Sequence, residues 1–548
     1  MKRCVSVSKV KCLVLGLDGA TFSLLGPLSE EGKLPSIRRL MIEGVKGILK
    51  STIPPLSSVA WTSFATGKNP GKHGVFDFSK RATMTYEDSP VTSRDVRCET
   101  LWDILSRHRR RVGLVNVPLT YPPKAINGMM VTGFPTPEEM GDYTYPRDLL
   151  RELKADIPGY RLQPVTPLLE GNEEALATDL GFVTENILQT TLRLLEKGDW
   201  DLLATVFTGP DAMGHICWNH IDPSHPLHDE VKSSRLGPLF SEMYSMIDRA
   251  VGRILGSVDE LGNVLLLSDH GFAGVHKAVY INNWLLEEGL LKVKRGIPSM
   301  ARYGALRLGL TPVRAYGLAR RFHLLRNSLR TSGGSRSRLQ SLASHIFLSR
   351  SDIDWRRSRA YSFGSFGQMC VNLAGRDPEG IVSEGNCNGL VSGIMKDLSD
   401  MKDPDTGEQL FDMIYSRDQI YWGPESQSSP DIVFLNSRSK FVTVRYLEFG
   451  DSKLLARHPV WTGAHAMDGV FIACGTDMNR GAEIESASIM DVAPTILHLL
   501  NCPAPNDVDG KVLNRIFRAG SEAEARGVVY ENRELDRAIE RLKTAGRI

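Results

Sequence analysis

Short apolar runs of about four to six residues recur along the 548-residue chain and alternate with longer segments of helical periodicity. They are rich in Val, Leu and Ile, and several are followed directly by Asp, Gly or Ser. The runs are 12–17, 112–117, 129–132, 202–207, 264–267, 432–435 and 470–473. Near-continuous apolar strands of this kind are typical of a mostly parallel sheet covered by helices on both faces. We therefore predict an α/β fold whose functional groups follow the carboxyl ends of strands.

Composition excludes several other classes of protein. Apolar residues make up 42% and charged residues 24% of the chain, which is typical of a globular protein and not of a disordered or coiled-coil one. The net charge of +2 favours neither a nucleic-acid coat protein nor an acidic tail. No apolar run approaches the roughly 18–20 residues of a membrane-spanning helix, and the basic N-terminus lacks the long apolar core of a secretory signal. The eight cysteines form no C-x-x-C pair, so we expect a cytoplasmic protein without a disulfide framework.

Residues that can bind divalent cations follow three of these runs and precede a fourth. They are Asp18, Asp211, His215, Asp269, His270 and His465. Asp211 and His215 are four residues apart, so one face of a helical turn would carry both. Alone, each residue has an ordinary structural explanation, such as a helix cap or an exposed loop. Together, three carboxylates and three imidazoles suit two divalent cations with an oxygen nucleophile between them. Mixed nitrogen and oxygen ligands favour Zn²⁺, with Mn²⁺ or Fe²⁺ as alternatives.

A pair of serines begins a predicted short helix. The sequence PPLSSVAWTSFATG indicates a loop, then Ser57 and Ser58, then a helix closed by Gly67. A serine at this place is either a helix N-cap or a nucleophile, because free backbone N–H groups and the helix dipole favour an incoming phosphate there. The residues alone leave both interpretations open.

Six segments, taken in order, resemble the type I phosphodiesterase/nucleotide pyrophosphatase family of the alkaline phosphatase superfamily. They are LVLGLDGA, PPLSSVAWTSFATGKNPGKHGVFDF, PDAMGH, LLLSDHGF, GAHAMDGVFIACG and DVAPTILHLL…DVDG, between residue 13 and about residue 510. The resemblance implies a three-layer, alkaline-phosphatase-like core. It also implies a two-metal phosphoric-ester hydrolase that acts through a covalent phospho-seryl intermediate.

The resemblance further implies roles for individual residues. The implied ligands are Asp18, Asp269 and His270 for one metal, and Asp211, His215 and His465 for the other. The family's nucleophile falls on Ser57, with Ser58 as the alternative one residue away. His73 belongs to a structural motif of the family and is not expected to bind metal. Ala60 departs from the family pattern, so the choice between diester and monoester substrates stays open.

The segment 292–350 has no counterpart in that pattern. It contains thirteen Lys and Arg residues and no Asp or Glu. We predict that 286–350 forms a basic helical insertion or cap, that 1–285 and 351–520 form the catalytic core, and that 521–548 forms a C-terminal helical tail. The insertion is interpreted either as a solvated basic face or as a surface for an anionic substrate, lipid headgroup or RNA.

Three alternatives to the diesterase stay open. The first is a phosphomonoesterase or a phosphoglycerate mutase-like phosphotransferase of the same superfamily. The second is a non-catalytic anion- or RNA-binding relative, and the third is an enzyme of lipid headgroups whose segment 292–350 lies on an anionic membrane. We expect a small-molecule phosphate ester as the substrate and no stable nucleic-acid partner. The sequence makes no prediction of oligomeric state.

Overall fold

A computed structural model of the chain describes residues 8–81, 85–315, 346–445 and 449–532. Its strands, in chain order, are β1 (Lys9–Leu17), β2 (Val45–Lys50), β3 (Ser79–Arg81), β4 (Asp88–Pro90), β5 (Val112–Val117), β6 (Gly128–Thr132), β7 (Thr144–Tyr145), β8 (Trp200–Phe207), β9 (Glu260–Leu267), β10 (Gly271–Gly274), β11 (Lys277–Val279), β12 (Ala360–Tyr361), β13 (Gln368–Val371), β14 (Met413–Ser416), β15 (Ile432–Leu435), β16 (Phe441–Thr443), β17 (Leu455–Ala456), β18 (Gly463–Ala466), β19 (Asp468–Gly475), β20 (Ala482–Ser488), β21 (Ala504–Pro505) and β22 (Tyr530–Glu531).

The α-helices connect and cover these strands. They are α1 (Phe22–Glu30), α2 (Pro35–Glu43), α3 (Ser57–Thr66), α4 (Pro70–His73), α5 (Leu101–Arg107), α6 (Asp148–Asp156), α7 (Glu173–Glu196), α8 (Gly209–Ile221), α9 (Glu230–Gly256), α10 (Ile281–Glu287), α11 (Ile297–Arg307), α12 (Glu384–Asp400), α13 (Arg417–Ile420), α14 (Val492–Leu499) and α15 (Glu522–Ala525). None of these described helices is both long enough and apolar enough to cross a bilayer.

A nine-stranded sheet forms the centre of the molecule, in the order β20-β2-β19-β9-β1-β8-β5-β6-β7. Strand β1 pairs in parallel with both β8 and β9, while β19 and β7 are antiparallel to the strands beside them. The predicted mostly parallel sheet is therefore confirmed. The run at 470–473 lies in β19, which is one of the two antiparallel strands of this sheet.

Helices cover both faces of this sheet, which gives three layers. Side chains of β1 alternate between the faces: Leu13 and Leu15 join one hydrophobic cluster, whereas Cys12 and Val14 join the other. The first cluster includes residues of α1, α2, α7, α8 and α9, and the second includes residues of α3, α5 and α14. Because both faces are buried, alternation of apolar and polar residues is absent and the strands appear as continuous apolar runs.

A second sheet has the order β12-β13-β15-β14 and is antiparallel. The run at 432–435 is β15, so its predicted place in the parallel sheet is wrong. A short apolar run indicates burial but not the direction or the partner of a strand. This sheet packs with α10, α11 and α12 around a separate hydrophobic cluster, and we call residues 279–455 the cap.

Two predicted segments are only partly described. Within 286–350, helix α11 lies on the cap, and residues 316–345 fall outside the described residues. Within 521–548, the described part ends at residue 532 and contains α15 and β22, which pairs in parallel with β21. The boundaries of both segments therefore remain predictions. The seven described cysteines are all free thiols.

Candidate active site

The three carboxylates of the site follow three neighbouring strands and lie at one edge of the central sheet. Because β9, β1 and β8 are parallel and adjacent, their carboxyl ends lie side by side. Asp18 directly follows β1, and Asp269 follows β9 after a single serine. Asp211 lies in the first turn of α8, just after β8. The predicted placement of functional groups at strand ends agrees with this arrangement.

His465 reaches the same edge from a distant part of the chain. It lies in β18, which pairs antiparallel with β10, so that Phe272 is opposite His465. Its Nδ1 is 2.7 Å from the carbonyl oxygen of Pro55, in the loop that precedes α3. This contact connects strand β18 to the loop that precedes the helix carrying Ser57.

The six predicted ligands form one cluster with two candidate metal-binding groups. Ligand atoms of Asp18, Asp269 and His270 all lie within 4.8 Å of one another, and so do those of Asp211, His270 and His465. His270 therefore belongs to both groups. Its Nε2 is 3.5 Å from Asp18 Oδ1 and 3.3 Å from Asp269 Oδ2.

His215 lies on the Asp211 side of the cluster. Its Nε2 is 3.5 Å from Asp211 Oδ1 and 3.2 Å from His465 Nε2. His465 Nε2 is in turn 3.1 Å from Asp211 Oδ1. The three residues implied as ligands of the second metal thus contact one another directly.

Backbone carbonyls fix the tautomers of the three histidines. The Nδ1 partners are the carbonyl oxygens of Gly463 for His215 (3.0 Å), Gly271 for His270 (3.0 Å) and Pro55 for His465 (2.7 Å). A carbonyl oxygen only accepts, so each Nδ1 carries the proton and each Nε2 presents a lone pair to the cluster. Burial lowers the pKa of His215 to about 4 and that of His270 well below its usual value, which keeps both rings neutral.

The buried charges and lone pairs of the cluster are unfavourable unless cations bind there. Burial, followed by the nearby Asp211, raises the pKa of Asp269 to about 7. The pKa of Asp18 is also raised, by burial and then by Asp269 and Asp211. Asp269 Oδ2 is buried and makes no hydrogen bond with any described residue. Facing lone pairs of His215 and His465 are likewise unfavourable on their own. Divalent cations would relieve each of these costs, so the residues fit a two-metal site.

Ser57 is the first residue of α3 and lies beside this cluster. Its Oγ is 3.1 Å from His270 Nε2 and 3.5 Å from Asp18 Oδ1. Ser58, the alternative nucleophile, is fully buried, and its Oγ has no hydrogen-bond partner among the described residues. Of the two serines, the structure therefore brings Ser57 to the site.

Trp61 is a site residue that the sequence analysis did not identify. It lies one helical turn after Ser57 on α3, and its indole Nε1 donates a hydrogen bond of 3.2 Å to Asp18 Oδ2. The spacing of four residues is the signal that could have identified it, because residues four apart share a helix face. Trp61 thereby joins the helix of the nucleophile to a predicted metal ligand.

Aromatic rings also hold the imidazoles in place. Trp461 stacks on His215 with ring centroids 4.2 Å apart, and Phe366 stacks on His465 at 4.8 Å. His465 stacks in turn on His270 at 3.7 Å. Phe366 comes from the cap, far from any strand-end motif, so no sequence signal marked it. Such packing restricts the orientation of ligand side chains.

Other histidines of the motifs lie outside the cluster. His73 is buried, and its Nε2 lies 3.0 Å from Ser63 Oγ. His225 Nε2 is 2.8 Å from the carbonyl oxygen of Val275, and this ring is buried.

Gly16 sets the distance between α3 and the sheet, and its replacement provides a test. A Cβ atom at this position of β1 would lie 2.6 Å from the Trp61 ring and 2.8 Å from Val206 Cγ2. We expect Gly16→Ala to lower the free energy of unfolding by ~1–3 kcal/mol through overpacking. Because Trp61 would move with Ser57, we also expect turnover to fall by up to ~10²-fold. Chemical denaturation and ester hydrolysis measure the two effects.

Gly393→Ala is the matched control for this glycine. A Cβ atom at Gly393 in α12 meets no atom within 4 Å, so the change should stabilise by up to ~1 kcal/mol and leave turnover intact. Equal stability of Gly16→Ala and the natural protein would contradict the close packing of Trp61 on β1.

A family model described as Type I phosphodiesterase / nucleotide pyrophosphatase matches residues 12–328, more than half of the chain. The chain belongs to this family. The matched range contains Ser57 and all the predicted ligands except His465, which follows later in the sequence. No curated protein sequence matches the chain.

Two solved structures share the fold of this chain. Human ectonucleotide pyrophosphatase / phosphodiesterase 5 is similar over 93% of this chain and 100% of that chain, with 13% identity and a TM-score of 0.50. Phosphonoacetate hydrolase from Sinorhizobium meliloti 1021, in complex with phosphonoacetate, is similar over 90% of this chain and 96% of that chain, with 15% identity and a TM-score of 0.53. At these identities the likeness shows the fold alone, which is alkaline-phosphatase-like.

Proposed function

We propose that this phosphodiesterase-family protein hydrolyses phosphoric diesters or nucleotide pyrophosphates with two divalent cations and Ser57 as the nucleophile. The observation that carries the proposal is the position of Ser57 Oγ, 3.1 Å from His270 Nε2. His270 is shared by both candidate metal groups. The hydroxyl therefore lies where the two groups meet, as a nucleophile between two cations requires.

The chain supplies two sets of ligands of mixed chemistry. We assign Asp18, Asp269 and His270 to one cation, and Asp211, His215 and His465 to the other. Carboxylate oxygens together with neutral imidazole nitrogens favour Zn²⁺, with Mn²⁺ or Fe²⁺ as alternatives. When bound, such cations lower the pKa of a contacting hydroxyl and offset the negative charge of a phosphoryl group.

The reaction proposed for these residues has two displacements. Ser57 Oγ attacks phosphorus, the bond from phosphorus to the leaving oxygen breaks, and a phospho-seryl ester forms. Water then attacks the same phosphorus, which restores the Ser57 hydroxyl. The released product is a phosphate monoester when the substrate is a diester, and inorganic phosphate when it is a monoester.

The start of α3 contributes hydrogen-bond donors to this reaction. The backbone N–H groups of Ser57 and Ser58 make no hydrogen bond with any described residue, whereas those of Val59 and Ala60 donate to the carbonyl of Leu56. The first N–H groups of a helix favour anions. We assign these two donors to the phosphoryl oxygens, whose charge they would stabilise during transfer.

A pair of chromogenic esters tests the proposal. After chelation, the protein is expected to be inactive, and Zn²⁺ or Mn²⁺ should restore hydrolysis of bis-p-nitrophenyl phosphate. We expect the diester to have the higher kcat/KM than p-nitrophenyl phosphate, measured on samples of known metal content. A higher value for the monoester would favour the phosphomonoesterase or mutase-like alternative. Absence of hydrolysis of both esters, together with salt-sensitive RNA binding, would favour the non-catalytic relative.

A further inference from the structure

Helix α11 of the cap presents an apolar face to solvent. Ile297, Met300, Ala301, Gly304 and Leu308 are spaced so that they lie along one side of the helix and its last turn. Ile297 and Leu308 are 86% and 82% exposed. A solvated helix face normally carries polar residues, so this apolar stripe needs an explanation.

The opposite face of α11 is fixed to the cap. Leu306 is buried in the hydrophobic cluster of the cap. Ser299 Oγ donates a hydrogen bond of 2.7 Å to Asp352 Oδ1, and Arg302 lies 2.9 Å from the same oxygen. The helix therefore cannot turn its apolar stripe inward without losing these contacts.

Cations flank the apolar stripe. Lys294 and Arg295 precede α11 and Arg314 follows it, and no described carboxylate lies within ion-pair distance of these three side chains. Arg307, by contrast, pairs with Glu287 at 2.8 Å. The sequence contains no Asp or Glu from 289 to 351, so the surroundings stay cationic.

We propose that the apolar stripe of α11, with Lys294, Arg295 and Arg314 around it, docks the protein on an anionic lipid bilayer. An interfacial helix buries an apolar face at the boundary of headgroups and acyl chains while nearby cations contact lipid phosphates. An 11-residue helix is about 16 Å long, so it lies on a bilayer rather than crossing it. This inference does not depend on the proposed function.

A second copy of the chain, the segment 316–345 and nucleic acid fit this surface less well than an anionic bilayer does. Two copies packed through α11 would bring cations together in either direction: Lys294 and Arg295 would face the same residues of a parallel helix, or Arg314 of an antiparallel one. The sequence of residues 316–345 adds six Arg and no acidic residue, so covering the stripe with that segment would also join like charges. Nucleic acid would match the cations but gains nothing from Ile297 and Leu308.

Vesicle co-sedimentation of the full chain tests the proposal. We expect binding to phosphatidylcholine vesicles that contain phosphatidylserine, weaker binding at raised salt, and little binding to phosphatidylcholine alone. Lys294→Gln with Arg295→Gln should weaken binding about 30-fold, since each basic side chain contributes ~1 kcal/mol near an anionic surface. Ile297→Ser with Leu308→Ser should weaken it at least ~10-fold through lost apolar burial.

Val231→Ser is the matched control, because Val231 on α9 is 83% exposed and lies outside the cap. It should bind vesicles like the natural protein. All these variants should keep the natural hydrolysis of a soluble ester, so a failure of docking is separable from a failure of the proposed function. Equal vesicle binding by every variant would overturn the proposal. A dimer of the natural protein that Leu308→Ser dissociates would also overturn the proposal. Binding to RNA without binding to vesicles would overturn it as well.

Discussion

Ser57→Ala is expected to lower kcat for phosphate-ester hydrolysis by at least ~10⁴-fold. The substitution removes the Oγ that lies 3.1 Å from His270 Nε2, and removal of a nucleophile that forms a covalent intermediate typically has an effect of this size. Alanine removes none of the six proposed ligands, so two cations should remain bound. Steady-state kinetics and metal analysis on the same sample measure both quantities.

Ser58→Ala is the control for that experiment. Ser58 is the neighbouring serine of α3, but its Oγ is buried and makes no hydrogen bond with the described residues. Its removal should change kcat by no more than about threefold, as expected for a side chain that does not contact the substrate. If Ser57→Ala keeps full activity while Ser58→Ala loses it, the nucleophile is Ser58 and the assignment is wrong.

Asp269→Asn is expected to remove one bound cation and to lower kcat/KM by about 10³-fold, since a catalytic metal contributes several kcal/mol to stabilising the transition state. Asparagine keeps the shape of the side chain and an oxygen that can accept the 3.3 Å hydrogen bond from Gly19 N–H. It lacks the negative charge that holds a cation. Metal content and kcat/KM of purified protein test this directly.

A second prediction for Asp269→Asn concerns the stability of the metal-free protein, which the substitution should not lower. Burial and the charges of neighbouring carboxylates raise the pKa of Asp18 and Asp269. When no cation is present, the buried carboxylates therefore repel one another and destabilise the folded protein. Without metal, Asp269→Asn should therefore be at least as stable as the natural protein. Added Zn²⁺ should raise the Tm of the natural protein more than that of the variant.

Asp222→Asn serves as the control for Asp269→Asn. Asp222 follows α8, and its carboxylate accepts hydrogen bonds from Ser224, outside the ligand cluster. Metal content and kcat/KM should be unchanged in this variant. Full metal content in Asp269→Asn would show that Asp269 is not a ligand.

The carboxylates of the site were predictable because buried parallel strands leave a clear sequence pattern. Asp18 and Asp269 each follow a continuous apolar run, and parallel strands carry their functional groups at the same edge. Nothing in the runs themselves says that β1 lies between β8 and β9. Strand order depends on packing across segments of about 200 residues, so the grouping of the ligands rested on the family resemblance.

The cap and its contribution to the site were less predictable. The run 432–435 has the same composition as the central strands but belongs to an antiparallel sheet, because apolar content records burial and not pairing. Phe366 contacts His465 only after the cap has folded against the core. Trp61 differs from it, since its spacing of four residues from Ser57 on one helix was visible in the sequence.

The most direct test of the two-metal site is anomalous diffraction from crystals grown with Zn²⁺ or Mn²⁺. Two peaks are expected beside Ser57, one among Asp18, Asp269 and His270 and the other among Asp211, His215 and His465. A single peak, or peaks that leave either set of residues without metal, would contradict the account.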